Sequence, residues 1–183
     1  MDSNQILDAD FDSEFTDKEE VELISINKFA ILCVVSFGLY EIWWIYKSWR
    51  FFKDKDNLDI MPAWRALFSV FFLYQLFERI LDFAKKNGYS KDYASAGLLI
   101  AFIILNVTSK LPDPYWLISF LAFLCIIPAL KAFNSAIRNS SKYKAIERVG
   151  FNTSQTVLLI VGGIVLILSI IGLTVDEGIY DGY

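Results

Sequence analysis

Residues 36–50 read SFGLYEIWWIYKSWR, and this stretch decides the fold because it contains three of the five tryptophans and the first change from apolar to basic sequence. Residues 29–37 before it are almost entirely apolar, whereas bases follow from Lys47 onward. Charged side chains rarely lie unpaired in hydrocarbon, and Trp and Tyr favour the boundary between lipid and water. The stretch therefore predicts the end of a membrane span that begins near Lys28 and has the about 20 residues needed to cross hydrocarbon.

The same stretch places a carboxylate within the predicted helix. Glu41 comes three residues after Gly38 and three or four before Trp44 and Ile45, spacings that put these residues on one helical face. A small Gly permits close helix approach and a polar Glu needs a partner, so we expect this face to turn toward other helices. Two interpretations remain open: Glu41 lies at headgroup depth, hydrated or paired with a base, or it is a buried functional carboxylate.

Composition predicts the class of protein. The chain has 183 residues, a length that predicts one domain, and 55% of them are hydrophobic, which exceeds the about 45–50% apolar usage of soluble domains. There is no histidine, and Cys33 and Cys125 fall in separate apolar runs. We therefore expect no disulfide, no catalytic residues, no metal site and no cofactor. No basic pattern indicates nucleic-acid binding, since the net charge is −4.

Three regions are predicted along the chain. Residues 1–25 are expected to be an acidic disordered tail, because residues 1–22 contain nine acids and one base and have few apolar residues. Residues 26–175 are predicted to be a membrane helical domain. Residues 176–183 form an acidic C-terminal end.

Four apolar runs predict membrane spans, and a fifth run is ambiguous. The four runs are residues 27–47, 94–108, 115–130 and 157–173. The second and third form a helical hairpin, because Pro112 and Pro114 break the chain between them. The ambiguous run, residues 66–81, carries a polar stripe that fits a helix lying in the interface, or a span that faces its stripe into the bundle. The predicted fold class is all-α: an integral membrane helical bundle of four spans plus one interfacial amphipathic helix, with five spans as the alternative.

The distribution of Lys and Arg favours the first architecture. Four spans place 14 bases inside and three outside, namely Lys18, Lys28 and Lys110, whereas five spans give 11 and six. Because short cytoplasmic loops are enriched in Lys and Arg, the four-span arrangement with both acidic tails outside is preferred.

The candidate site residues fall into three groups. The polar residues predicted in or near the membrane are Glu41, Arg65, Gln75, Glu78, Arg79 and Asn106. The glycines predicted to allow close helix packing are Gly38, Gly162 and Gly163. The predicted interfacial anchors are Trp43, Trp44, Trp49, Trp64 and Trp116.

Asn106 is expected to bridge helices, and Arg79 to pair with Asp82 on its own helix. The basic segment 131–148 is typical of a cytoplasmic loop, either as a topology signal alone or as a patch that also attracts anionic lipid, and Asn152, Thr153 and Ser154 are the candidate caps of the last helix.

Residues 36–47 also carry a motif. They read SFGLY followed by EIWWIYK, and they resemble an uncharacterised family of small bacterial multi-span membrane proteins, a domain of unknown function, in which a Thr-x-Gly-x-Tyr motif precedes a Trp/Tyr-Lys run. Ser36 stands where Thr is usual. The resemblance covers about residues 28–173 and includes residues 64–66, residues 111–117 and Asn134. It implies a membrane location and a helical fold, and it implies no known activity.

The sequence thus predicts a multi-pass protein of a bacterial cell inner membrane with no enzymatic activity. The expected partners are membrane lipids, with a second copy or another membrane protein as further candidates. The leading hypothesis is a helix-, lipid- or partner-binding or scaffold protein that uses Gly38, Glu41 and the polar stripe from Arg65 to Asp82. The alternative is a small transporter or oligomeric channel lined by the polar candidates, although the last three predicted helices offer few polar residues and no inverted repeat is evident.

Overall fold

The computed structural model describes residues 18–112, 115–148 and 150–180. The described residues are 73% helical, with seven α-helices, which confirms a mainly helical fold. The elements in chain order are β1 (Glu19–Leu23), α1 (Ile26–Val35), α2 (Leu39–Asp56), α3 (Pro62–Leu67), α4 (Ser69–Lys86), α5 (Ser95–Val107), a 3₁₀ turn (Thr108–Lys110), a 3₁₀ helix (Tyr115–Cys125), α6 (Ile127–Asn139), β2 (Tyr143–Glu147) and α7 (Thr153–Tyr180).

The predicted first span is a helical hairpin, so the prediction of one continuous helix was wrong. Phe37 and Gly38 have φ angles of 54° and 84°, which lie outside the helical region and reverse the chain. The Ser36 hydroxyl accepts a hydrogen bond of 2.9 Å from the Tyr40 N–H and so supports the start of α2. The ring of Phe29 on α1 lies 6.0 Å from that of Tyr40 on α2. Helix α1 has 10 residues, so it is about 15 Å long, half of the about 30 Å of hydrocarbon.

A parallel two-stranded sheet accompanies the helices, and it corrects the prediction of a disordered tail for residues 19–23. Strand β1 pairs with β2 in a register that runs from Glu19 opposite Tyr143 to Leu23 opposite Glu147. Leu23 and Tyr143 are buried against the helices. The backbone groups of residues 19–23 thus form hydrogen bonds with a strand that lies 124 positions later in the sequence. The rest of the predicted tail, residues 1–17, lies outside the described residues, as does the C-terminal end at 181–183.

The amphipathic run at 66–81 forms most of α4. A short helix, α3, precedes it and has Pro62 at its first position. Helix α4 buries Leu73, Phe77 and Ile80 against α6 and neighbouring elements. Its exposed apolar residues lie in its first half and its exposed charges in its second half. The helix therefore passes from an apolar zone of the surface to a charged one.

The predicted hairpin of residues 94–108 and 115–130 is present. Helix α5 packs against the 3₁₀ helix, and α6 continues that direction to Asn139, nine residues beyond the predicted end. Pro128 lies in the first turn of α6, where its missing N–H costs no hydrogen bond. Within the described residues one helix, Tyr115–Asn139, is long and apolar enough to cross a membrane by length and composition. The shorter apolar helices are Ile26–Val35, Ser95–Lys110 and Thr153–Ser169.

Helix α7 packs against α1 through one of its two adjacent glycines. A methyl group at Gly162 would overlap the carbonyl oxygen of Val35 and lie 2.8 Å from the Val35 Cγ1. A methyl group at Gly163 would meet nothing within 4 Å. The packing role predicted for both residues therefore applies to Gly162 alone, because only its Cα faces α1.

This asymmetry predicts opposite effects of two equivalent substitutions. Gly162→Ala should lower the free energy of unfolding by about 1–3 kcal/mol, because the backbone of α1 must move to admit the methyl group. Gly163→Ala should leave it unchanged or raise it by up to about 1 kcal/mol, because Ala favours the helix. Thermal unfolding of both variants, followed by circular dichroism, measures the difference. Equal destabilisation by the two changes would contradict the contact between α7 and α1.

Candidate functional site

One end of the bundle, hereafter the charged end, carries the two-stranded sheet and the ion pairs of the described residues. These pairs are Lys47–Glu22, Arg50–Asp54, Lys55–Asp56, Arg79–Asp56, Lys85–Asp92, Arg138–Glu147, Lys144–Glu20 and Arg148–Glu22. They join β1 to α2, β2 to α6, the two strands to each other, and α4 to the end of α2. Charges that are far apart in sequence therefore meet on one surface.

A cleft of about 350 Å³ opens beside β1 at the charged end, and we call it the β1 cleft. Its polar lining residues include Glu20, Glu22, Lys28, Tyr40, Lys47, Ser48, Arg50, Asp54, Asn134, Arg148 and Gln155. Trp43 and Trp44 supply aromatic walls. Five elements thus contribute to one site, because the hairpin at Phe37 and Gly38 returns α2 alongside the start of α1.

Two cations lie beside a single carboxylate in this cleft, and a third lines the cleft without contacting that carboxylate. Glu22 lies 3.6 Å from the Nζ of Lys47 and 3.5 Å from the Nε of Arg148. The Lys28 ammonium donates to the carbonyl oxygen of Arg148 and, at 2.9 Å, to that of Gly150. The segment between β2 and α7 is therefore tied to α1 as well as to β1.

The start of α7 forms the opposite wall of the cleft. Asn152 caps this helix, as predicted: its side-chain oxygen accepts a 2.8 Å hydrogen bond from the Gln155 N–H, and the Gln155 side chain accepts one of 3.1 Å from the Asn152 N–H. This reciprocal arrangement is a capping box. Gln155 also donates to the hydroxyl of Tyr40 at 3.0 Å. The cap thereby fixes α7 against α2.

Two groups at the charged end have shifted pKa values with clear causes. The Lys85 ammonium donates a hydrogen bond to Asp92 and, together with the Tyr93 N–H, lowers the pKa of the Asp92 carboxyl. Burial, and then the negative charges of Glu19 and Asp56, raise the pKa of the Tyr143 hydroxyl. Asp92 therefore stays ionised in its ion pair and Tyr143 stays neutral in the core beneath the sheet.

The face predicted around Glu41 is confirmed. Glu41, with 6% of its surface exposed, is buried on the same side of α2 as Trp44, Ile45 and Ser48. Its carboxylate receives no hydrogen bond or ion pair from the described part of the chain. Gly38 adopts a positive φ, which allows the chain to turn between α1 and α2. The prediction that Glu41 lies toward other helices is thus correct, whereas the helix-packing role predicted for Gly38 was wrong, because a methyl group there would meet only the Glu41 carboxylate, at 3.9 Å. Glu41 does not line the β1 cleft.

The other polar candidates lie at separate positions. Arg65 stacks on the ring of Trp49, with 4.5 Å from its guanidinium carbon to the ring centre, and donates to Gln75 at 3.3 Å. Arg79 pairs with Asp56 on α2 at 3.5 Å, rather than with Asp82. Glu78 is partly buried on α4.

Asn106 corrects another expectation. Its amide donates to the carbonyl oxygen of Phe102 on its own helix at 2.9 Å, and the residue is exposed, so the predicted bridge between helices is absent from its contacts in the described chain. None of the three main cavities of the described residues is lined by more than one of the polar candidates.

The tryptophans divide into two groups. Trp43 is 49% exposed and Trp64 is 53% exposed, while Trp116 is half-buried with its ring 5.4 Å from that of Phe120. Trp44 and Trp49 are buried in the core, at 6% and 0% exposure, so their prediction as interfacial anchors was wrong. Trp44 lies on the side of α2 that α1 covers, and Trp49 lies on the side that α3 and α4 cover.

The comparisons add no relative. A scan against protein-family models, a search of curated proteins and a search of solved structures each found no match to this chain. The family resemblance therefore stays a prediction, and the site is described by its own residues.

Sequence reasoning missed the principal residues of the β1 cleft. Glu22, Lys28 and Arg148 are distant in sequence and were assigned to different sides of the membrane. The buried Asn134 is central to their placement, because it donates a 2.8 Å hydrogen bond to the carbonyl oxygen of Ile24, between β1 and α1. It therefore ties the start of the hairpin to α6.

Asn134→Ala should lower the free energy of unfolding by about 1–3 kcal/mol, because the partly buried carbonyl oxygen of Ile24 loses its donor. Asn139→Ala is the matched control: its exposed amide makes a 3.3 Å hydrogen bond to Asn87, and its removal should change stability by less than about 0.5 kcal/mol. Denaturant unfolding of both variants provides the measurement. A loss for Asn134→Ala as small as that of the control would contradict the role assigned to this hydrogen bond.

Proposed function

We propose that this chain is a multi-pass membrane protein of a bacterial cytoplasmic membrane, without enzymatic activity, that binds lipid or a protein partner at its charged end. The observation that carries the proposal is the separation of exposed apolar side chains from charged ones. The bacterial membrane is suggested by the family resemblance alone.

The exposed apolar surface supports a lipid environment. Helix α7 exposes Val157, Ile160, Val161, Ile164, Val165, Ile167, Leu168 and Ile171. These residues form the face of the helix that points away from α1, whereas a helix on a soluble surface exposes mainly polar residues on that face. The 3₁₀ helix and α5 add Leu117, Leu121 and Ile104 to this surface. Exposed apolar side chains in such number mark an interaction with membrane or protein.

The positions of the bases support the same proposal. All 17 Lys and Arg residues lie in the described part of the chain, and 16 of them lie at the charged end or within about one helical turn of it. Lys110 is the exception. It follows α5, whose 13 residues extend for about 20 Å. A bias this large exceeds the 14 to three expected from the sequence and would make the charged end cytoplasmic.

The proposed arrangement in the membrane differs from the four-span expectation. Helices α1 and α2 enter from the cytoplasmic side and return to it, α3 and α4 lie at the interface, and α5, the helix Tyr115–Asn139 and α7 cross. Residues 95–110 form a short span, which a bilayer accommodates by local thinning. The N-terminal strand then lies inside and the end of α7 outside, rather than both outside.

Cysteine labelling tests this arrangement. In a variant lacking Cys33 and Cys125, a cysteine at Glu19 and one at Ser109 should react with a membrane-impermeant maleimide from opposite sides, because β1 and the turn after α5 lie at opposite ends of the bundle. A cysteine at Lys91 is the control, since it should match Glu19.

Two results would contradict the proposal. Labelling of Glu19 and Ser109 from the same side would favour the four-span arrangement. Recovery of the protein in the soluble fraction after cell lysis would exclude a membrane location.

A further inference from the structure

We propose that the β1 cleft binds the phosphate of an anionic phospholipid and that Glu22 competes with that phosphate for Lys47 and Arg148. This inference rests on the proposed membrane location. It names the ligand and the residues that hold it.

The cleft has more positive than negative charge around one point. Lys47 and Arg148 share the single carboxylate of Glu22, and Lys28, which lines the same cleft, donates to two backbone carbonyl oxygens. The other acids of the cleft are paired with other bases: Glu20 pairs with Lys144 at 3.1 Å, and Asp54 pairs with Arg50 at 3.9 Å. Guanidinium and ammonium groups are the usual partners of phosphate in proteins. The local excess of cations therefore suits an anion with several oxygens.

Glu22 is held only loosely between its two cations. Its distances to Lys47 and Arg148, 3.6 and 3.5 Å, exceed the about 2.7–2.9 Å of a charge-assisted hydrogen bond. Its side chain is also one-third exposed, and ion pairs of this kind contribute little to stability. A phosphate that forms direct hydrogen bonds to both cations can therefore displace it.

The surroundings of the cleft favour a lipid over a free phosphate. Trp43 lines the cleft and is half-exposed, and Leu39 and Ile42 continue the exposed apolar surface along α2. Beyond Gln155, α7 exposes Val157 and Ile160. A phosphate in the cleft would thus lie where charged surface meets apolar surface, as the headgroup of a lipid does. The acyl chains would extend along α2 and α7.

The test measures binding of dioctanoyl phosphatidylglycerol to the full chain in a neutral maltoside detergent, by isothermal titration calorimetry. Inorganic phosphate is titrated in parallel to separate a lipid headgroup from a free anion. Binding of the lipid, together with at least about tenfold weaker binding of inorganic phosphate, is expected because the apolar contacts contribute affinity.

Substitutions of the competing carboxylate and of the cations should act in opposite directions. Glu22→Gln should tighten lipid binding about tenfold, because it removes the competitor, and Lys47→Gln and Arg148→Gln should each weaken it about fivefold or more. Glu147→Gln and Arg138→Gln, which break an ion pair outside the cleft, are matched controls and should change binding by less than about twofold. Lys47→Arg, which keeps the charge, should retain binding.

Equal binding by Glu22→Gln and Glu147→Gln would overturn the proposal, and so would inorganic phosphate that binds as tightly as the lipid. Circular dichroism of each variant establishes that it is folded, and the gain expected for Glu22→Gln cannot arise from unfolding. The titration is made in detergent, so its failure is distinct from a failure of the labelling that tests the membrane location.

Discussion

The turn at Phe37 and Gly38 is the constraint on which the rest of the structure depends. Two successive residues with positive φ end α1 and send α2 back along it. A continuous helix of residues 27–47 would instead place its two ends about 30 Å apart, at 1.5 Å for each residue. Lys28 and Lys47 could not then share a cleft, and β1 could not reach β2. The sheet, the cleft and the grouping of the bases are all consequences of one reversal.

The sheet in turn depends on the helices around it. Two strands alone are marginally stable in water, and a parallel pair requires a long crossover. Here the crossover is the helical domain between Leu23 and Tyr143. Asn134 holds the chain just after β1, and the burial of Leu23 and Tyr143 anchors one residue of each strand in the core. Strand pairing and helix packing therefore stabilise each other.

The sequence predicted the features that local periodicity reveals. The helices, the buried face of Glu41, the hairpin after α5 and the cap at Asn152 each depend on spacings of a few residues. The errors concern contacts between distant segments. Residues 19–23 read as part of an acidic tail because their partner strand lies far along the chain. Trp44 and Trp49 were assigned to the interface because their composition suits it, but α1 and Arg65 cover them. Gly162 and Gly163 are equivalent in sequence, but only Gly162 lies against Val35 of α1. A single sequence does not show which of the two faces that helix.

The position of the acids resolves an apparent conflict in the charge pattern. The acidic N-terminal segment was expected outside the membrane because the basic segment 131–148 was expected inside. Yet orientation responds mainly to Lys and Arg, and Asp and Glu contribute little. In the proposed membrane orientation, acids can therefore lie beside the bases on one side, as the pairs of Glu20 with Lys144 and of Glu22 with Arg148 would. Such pairing lowers the desolvation cost of placing many bases near a lipid surface, and exposed pairs remain exchangeable because each contributes only about 0–1 kcal/mol. A charged end built from weak internal pairs can thus release single cations to an external anion without unfolding.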